Sequence, residues 1–190
     1  MYLFFDTETT GVPRNYKAPA SDLQNWPRLV QVAWLLADEQ GNDVASAEYI
    51  VKPDGFTIPQ EAARIHGITT EMAMRDGVDI EAVLTTLMSS IDKSSVLIAH
   101  NMQFDEKILG AELLRAGHSN LVESKSRKCT MQSATNYCRL PGRYGYKWPT
   151  LSELHTKLFG EDFEGAHRAL VDVRACARCY FELKRLKVMV

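Results

Sequence analysis

The order of apolar and polar positions along the chain predicts strands first, then helices and strands in alternation. Tyr2–Asp6 is short, aromatic and apolar and reads as a buried strand. Leu29–Ala37 is almost continuously apolar and reads as a second. The stretch Asp38–Asp43, with Gly41-Asn42, is a turn, and Val44–Lys52 returns as a third strand. Three sequential strands with a short turn suggest an antiparallel meander. Between the first two, Gly11–Arg28 carries Pro13, Pro19 and Pro27 among polar spacers and reads as a surface loop.

Helical spacing begins beyond the meander. Gln60–His66 is a short helix ended by Gly67. Asp79–Ile91 places Ile80, Val83, Leu84, Leu87, Met88 and Ile91 on one face. Val96–Ala99 is a fourth strand. Asn101–Ala116 is a helix stopped by Gly117, with Asn101 placed to cap it. Thr130–Tyr137 is helical, and Leu140–Pro149 is a Pro/Gly/Tyr-rich loop. Thr150–Phe159 opens on Thr150 with Glu153 three residues on, a capping box. The last helix runs from about Arg168 to Leu186. This order indicates an α/β or α+β domain with a mixed sheet and flanking helices, and leaves several topologies open.

Composition narrows the class. At 190 residues and 45% apolar content, the chain suits a single domain over 1–190 with a real core. No apolar run approaches the ~20 residues that span a bilayer, so no membrane partner is expected. The opening MYLFFDTETTG has no basic region and is not a signal peptide, which makes a cytoplasmic protein the expectation. Cys129 and Cys138 are isolated. Cys176 and Cys179 form one C-x-x-C inside a helical pattern, and all four are expected as buried free thiols. A net charge of −2 argues against a protein that coats long nucleic acid by bulk electrostatics.

The acids supply the candidate chemistry. Asp6 and Glu8 stand at i and i+2 on the first strand, so both can point to one face. Burial there costs free energy unless a positive charge meets them, and Mg²⁺ or Mn²⁺ prefers such oxygen ligands. Read alone, the pair also fits a solvated strand end. Asp105 falls between Ile108 and Leu109 on the helical wheel, at the edge of the core. Asp172 flanks a stripe of Ala169, Val173, Cys176, Tyr180 and Leu183, while Arg174, Arg178 and Arg185 form a solvated face. His167 stands five residues before Asp172. Gly165 just upstream suggests that His167 belongs to the loop leading into the helix.

Three motifs carry a resemblance. Phe4-Phe5-Asp6-Thr7-Glu8-Thr9-Thr10-Gly11, His100-Asn101-Met102-Gln103-Phe104-Asp105 and His167-Arg168-Ala169-Leu170-Val171-Asp172 occur in order across nearly the whole chain. In these the chain resembles the DEDDh 3′→5′ exonucleases, the group that includes the proofreading subunit of bacterial replicative DNA polymerase. Ile65-His66-Gly67-Ile68-Thr69 also looks like the family's substrate-side segment.

The resemblance implies a ribonuclease-H-like fold with a five-stranded mixed sheet, the missing strand lying near Lys128–Met131. It implies metal-dependent removal of nucleoside 5′-monophosphates from a 3′ end, with two Mg²⁺ ions that Mn²⁺ can replace. Asp6, Glu8 and Asp172 would hold the first ion, Asp6 would bridge to the second, and Asp105 would support it. His167 would act as general base, since an unperturbed imidazole titrates near pH ~6.5. Thr7, Thr9, His66, Ile68, Asn101 and Phe104 are the candidates for gripping the terminal nucleotide. Lys125, Arg127, Lys128, Arg139, Arg143 and Lys147 could track the backbone. The expected partner is a single-stranded or frayed 3′ end, DNA ahead of RNA. A proofreading subunit in a polymerase complex, an RNA-trimming enzyme and a non-catalytic binding scaffold are the competing readings. The loop at 11–28 is longer than expected after the first motif.

Overall fold

The computed structural model describes residues 1–165 and 168–189. Strands β1 (Tyr2–Thr9), β2 (Leu29–Ala37), β3 (Asp43–Ile50), β4 (Val96–Ala99) and β5 (Ser126–Cys129) form one sheet in the order β3-β2-β1-β4-β5. The three-strand meander is antiparallel, whereas β4 pairs parallel to β1 and β5 parallel to β4. The mixed five-stranded sheet with flanking helices is the architecture expected from the sequence. Among the described residues no helix is long and apolar enough to cross a membrane.

Strand alternation divides the core in two. Leu3 and Phe5 of β1 join Val32, Trp34 and Leu36 of β2 on one face. Helices α3 (Ile80–Lys93) and α4 (Met102–Arg115) cover that face through Val83, Leu87, Ile91, Ile108 and Leu109. Phe4 joins Ala33, Leu35 and Ile98 on the other face. There α5 (Thr130–Cys138), α6 (Leu151–Phe159) and α7 (Ala169–Arg185) supply Ala134, Leu154, Val173, Cys176 and Tyr180. Two covered faces explain why β2 is a continuous apolar run: every one of its residues is buried.

Several expectations shift. β1 runs on to Thr9, past the acids, because its pairing with β2 continues to Glu8–Gln31 before the register slips. β3 ends at Ile50, where the chain turns to bridge Val51 to Val78. A Cβ at Gly77 would meet the Ala73 carbonyl at 2.2 Å and the Lys52 nitrogen at 2.7 Å, so this close approach admits glycine alone. β5 starts two residues before the expected stretch, since Thr130 already begins α5. Besides the anticipated α1 (Gln60–His66), a short α2 (Thr70–Asp76) appears, capped by the Thr69 hydroxyl. Pro141–Gly142 and Gly145–Tyr146 pair as a small hairpin inside the expected loop. Cys129 is only partly buried, unlike the other three free cysteines. The Thr150–Glu153 capping box is present.

Residues 11–28 do more than cross the surface. Trp26 is buried, and its indole N–H donates to the Pro19 carbonyl at 3.0 Å. Arg115 of α4 donates to the carbonyls of Leu23 and Trp26 at 2.7 and 2.6 Å. The loop is thereby fastened to α4.

Candidate active site

The alternation that divides the core also builds the site. Phe4, Asp6 and Glu8 share the face covered by α7, so the two acids continue an apolar stripe to the end of the sheet. Asp172 lies in the first turn of α7. Carboxylate oxygens of Asp6, Glu8 and Asp172 fall within 4.8 Å of one another, close enough for one cation to bind all three.

The residue between the acids faces the opposite way. Thr7 points toward α4, where its hydroxyl and backbone N–H donate to one Asp105 oxygen at 2.7 and 3.2 Å. Asp105 is only 3% exposed, deeper than the edge position its helical phase suggests. D-T-E thus serves both faces, presenting two carboxylates to α7 and holding a third, from α4, through the threonine. Thr7 therefore meets Asp105 directly, while also lining the cleft.

The electrostatics of Asp6, Glu8 and Asp105 are those of buried acids that raise one another's pKa. Burial, then Asp105, Asp172 and Glu8, push the Asp6 carboxyl well above its usual range. Burial first, and then Asp172 and Asp105, raise Glu8 to about 7. Burial raises Asp105 to about 7 against the opposing Thr7 hydrogen bonds. Among the described residues no Lys or Arg forms an ion pair with Asp6, Glu8 or Asp105. Acids held this close fit a divalent cation: hard oxygen donors, open to solvent on one side.

These acids line a cleft of about 400 Å³ that also includes Asn101, Phe104, Thr150, Ser152 and Phe163. Asn101 precedes α4, but its side chain makes no capping hydrogen bond. Instead its backbone is left-handed, at φ 90°, and its carbonyl accepts from the Phe104 N–H at 2.8 Å. Asparagine tolerates this conformation better than most residues, and the amide is left to line the cleft. His100 ties three elements together. Its Nε2 lies 3.0 Å from the Pro149 carbonyl and its Nδ1 lies 2.9 Å from the Thr130 hydroxyl. A carbonyl can only accept, so Nε2 carries the proton. Burial, partly opposed by Pro149, brings the ring down to about 4, and it stays neutral at physiological pH.

Three other candidate contacts sit outside the cleft. The Thr9 hydroxyl donates to the Gly11 carbonyl at 2.7 Å. Ile68 is buried with Val30, Ile58 and Ala62. His66 Nδ1 accepts from the Ile68 N–H at 3.1 Å, and its buried Nε2 has no hydrogen-bond partner among the described residues. Burial lowers the His66 pKa, with the Thr9 backbone partly opposing. His167, the expected general base, lies outside the described residues. The six basic candidates scatter. Lys125 donates to the Asp92 and Ser94 carbonyls, Lys147 pairs with Glu153, and Arg143 lies over Tyr144, whereas Arg127 and Lys128 meet in one groove. His100, Thr150, Ser152 and Phe163 had no separable signal as cleft residues, because folding alone brings the start of α6 against the end of β4.

Comparison with known proteins settles the lineage. The family model described as RNase T, exonuclease, matches residues 3–180. The chain belongs to the RNase T exonuclease family. Within it, the chain is 30% identical over 178 residues to DNA polymerase III subunit epsilon of Treponema pallidum (strain Nichols), covering 93% of this chain and 73% of that protein. It is 31% identical over 180 residues to the uncharacterized exonuclease CP81 of Escherichia phage 186, covering 90% of this chain and 82% of that one. Among solved structures, the zinc-bound E. coli exonuclease I–single-stranded DNA complex superimposes with a TM-score of 0.78 at 22% identity. That match covers 98% of this chain but 41% of the exonuclease I chain, so this RNase T-family chain spans about two fifths of that protein. The shared fold is ribonuclease-H-like, and the family is that of 3′→5′ exonucleases, in agreement with the DEDDh motifs.

Proposed function

We propose that the chain hydrolyses single nucleotides from the 3′ end of single-stranded or frayed DNA, using two divalent metal ions and a histidine base. The observation that carries this reading is the cluster of Asp6, Glu8 and Asp172 oxygens within 4.8 Å, with Asp105 beside them and no ion-paired Lys or Arg on Asp6, Glu8 or Asp105 among the described residues. Asp6, Glu8 and Asp172 would hold one Mg²⁺ or Mn²⁺ ion, and Asp6 and Asp105 would hold the second. When bound, the ions supply charge neutralisation at the phosphate and activation of the attacking water.

The chain's own residues do the rest. Thr7 fixes one oxygen of Asp105 by two hydrogen bonds, and the other takes no part in that contact. Neutral His100 anchors the start of α5 and Pro149, two residues before α6, to the end of β4, which keeps the cleft walls in place. Asn101 and Phe104 line the cleft and are the assigned contacts for the terminal sugar and base. Thr9, His66 and Ile68 lie outside the cleft lining and are assigned no contact in it. His167, one residue before Arg168 and five before Asp172, is assigned the proton from the attacking water. Similarity to an epsilon subunit makes action beside a polymerase the second reading.

The test is digestion of matched 5′-labelled single-stranded DNA and RNA with Mg²⁺ or Mn²⁺. A ladder shortening from the 3′ end, faster on DNA, is expected. Progress from the 5′ end, or undiminished cleavage in excess chelator, would refute the assignment.

A further inference from the structure

A depression larger than the catalytic cleft lies outside it. It measures about 920 Å³ and follows the free edge of β5. Its walls are the fastened loop (Tyr16, Lys17), the start of α4 (Gln103, Lys107), β5 itself (Arg127, Lys128) and the start of α5. Four cations face one carboxylate, Glu106, and that carboxylate is already approached by Lys107 at 3.8 Å and Arg127 at 3.3 Å. Lys17 and Lys128 have no ion-pair partner among the described residues. In a chain of net charge −2, such a local excess marks where an anion can be drawn in.

Groove and cleft meet at the start of α4. Gln103 lines the groove and its neighbour Phe104 lines the cleft. The Tyr16 ring, 48% exposed, stands 6.5 Å from the Phe104 ring, and the Gln103 amide donates to the Tyr16 carbonyl at 3.4 Å. The boundary is therefore aromatic, with cations beyond it. That combination suits single-stranded nucleic acid, where rings stack on bases of any sequence and cations track phosphates.

We propose that this groove holds the body of the strand, the nucleotides on the 5′ side of the one being removed. Lys17, Lys107, Arg127 and Lys128 face its phosphates, and Tyr16 stacks on a base at the boundary. The proposal rests on the exonuclease reading of the adjoining cleft. It gives the loop at 11–28 a role, since Tyr16 and Lys17 reach the groove from its tip. About two to four phosphates would be neutralised.

The experiment compares wild type with the double variant Lys17→Ala/Lys128→Ala. Binding of 5′-fluorescent oligo-dT of increasing length is followed by anisotropy in chelator. Hydrolysis of a long strand is compared with that of the p-nitrophenyl ester of thymidine 5′-monophosphate, which reaches only the metal site. Wild-type affinity should rise with length to a plateau, and the double variant should lose that rise. Its salt slope should be shallower by about 1.4, at ~0.7 per cation on a single strand. Its ratio of long-strand to ester kcat/KM should fall about tenfold or more, a ratio that partial unfolding would not move. Identical length dependence and salt slope in both proteins would overturn the proposal. So would a poly-glutamate peptide that binds the wild type and not the double variant while oligonucleotide binding is equal in both, since the groove would then serve an acidic protein segment. If the wild type fails to hydrolyse the ester with either metal, the reading of the cleft falls, and the length series in chelator still decides the groove.

Discussion

Helix α4 buries two carboxylates two turns apart, and the chain surrounds them in opposite ways. Glu112, 1% exposed, receives Arg115 at 2.8 Å, Arg28 at 2.9 Å and the Leu29 backbone N–H at 3.0 Å. Among the described residues Asp105 receives Thr7 alone, beside other acids. Both positions take a charge out of water, which is tolerable only when an opposite charge or a proton answers it. At Glu112 the answer is built into the chain, and the acid's task is to join α4 to β2 and to the loop before it. At Asp105 the answer has to come from solution. Buried acidity alone does not distinguish a catalytic carboxylate from a structural one, but the source of the compensating charge does.

Replacing each acid by its amide breaks the comparison most directly. Asp105→Asn keeps an acceptor for both Thr7 donors but removes the charge. Hydrolysis should fall roughly 10³-fold or more, as several kcal/mol of transition-state stabilisation are lost. The metal-free protein should gain roughly 1–3 kcal/mol, because a repelled charge has gone. Single-turnover kinetics and chelator-treated thermal melts read the two effects. A variant that keeps its activity, or that melts earlier without metal, would contradict the site.

Glu112→Gln should act in the reverse sense. Two partly solvated arginines lose their shared carboxylate, at a cost of about 2–3 kcal/mol. That lowers Tm by roughly 5–10 °C in a domain of this size. Turnover per folded molecule, measured well below Tm, should stay within about twofold of wild type. A large fall in turnover at unchanged Tm would move Glu112 from the scaffold to the site.

The proton can stand in for the metal, and this sharpens the contrast. Glu8 and Asp105 titrate near 7 in the fold, above their ordinary values of 4.5 and 3.8. Between those values and about 7, the folded state binds more protons than the unfolded chain. Stability of the metal-free protein should therefore fall as pH rises across that window. Mn²⁺ competes for the same oxygens, so its affinity should weaken as pH falls from 8 to 6. Urea melts in chelator and calorimetric titrations at three pH values test the pair of slopes. Slopes of the opposite sign would show that the acids are already compensated.

The smallest expected effect is that of Thr7→Val. It removes the 2.7 Å hydroxyl contact and leaves the backbone N–H, so roughly 1 kcal/mol of orientation at Asp105 is lost. A rate lower by about five- to tenfold, with Tm nearly unchanged, is the outcome to look for. An unchanged rate would make the backbone contact sufficient.

Much of this was legible from pattern. The long apolar run of β2 and the bounds of α1 and β4 emerge as read, because covered strands and glycine-stopped helices write their limits in the sequence. So does the expected meeting of Asp6, Glu8 and Asp172, since strand alternation puts the first pair on one face and the last borders a helical stripe. α2 was not legible: seven residues with only Ala73 buried leave no periodicity to detect. The role of Glu112 was hidden too, because its partners Arg28 and Leu29 lie more than eighty positions away and all three look like ordinary residues until the chain folds. The same reason hid the anchoring of Trp26. Asn101 was misread because a capping residue and a left-handed residue are drawn from the same short list.

The sheet order also has a consequence for how the protein is made. The meander joins neighbours in sequence, so β1, β2 and β3 can pair as soon as about fifty residues exist. The clustered carboxylate oxygens, in contrast, come from positions 6, 8 and 172, and α7 supplies both the third acid and much of the cover over Phe4 and Leu35. Both are missing until α7 has docked on the sheet. Until then the chain has no complete acid cluster. The acid cluster is completed together with the closing of that core face.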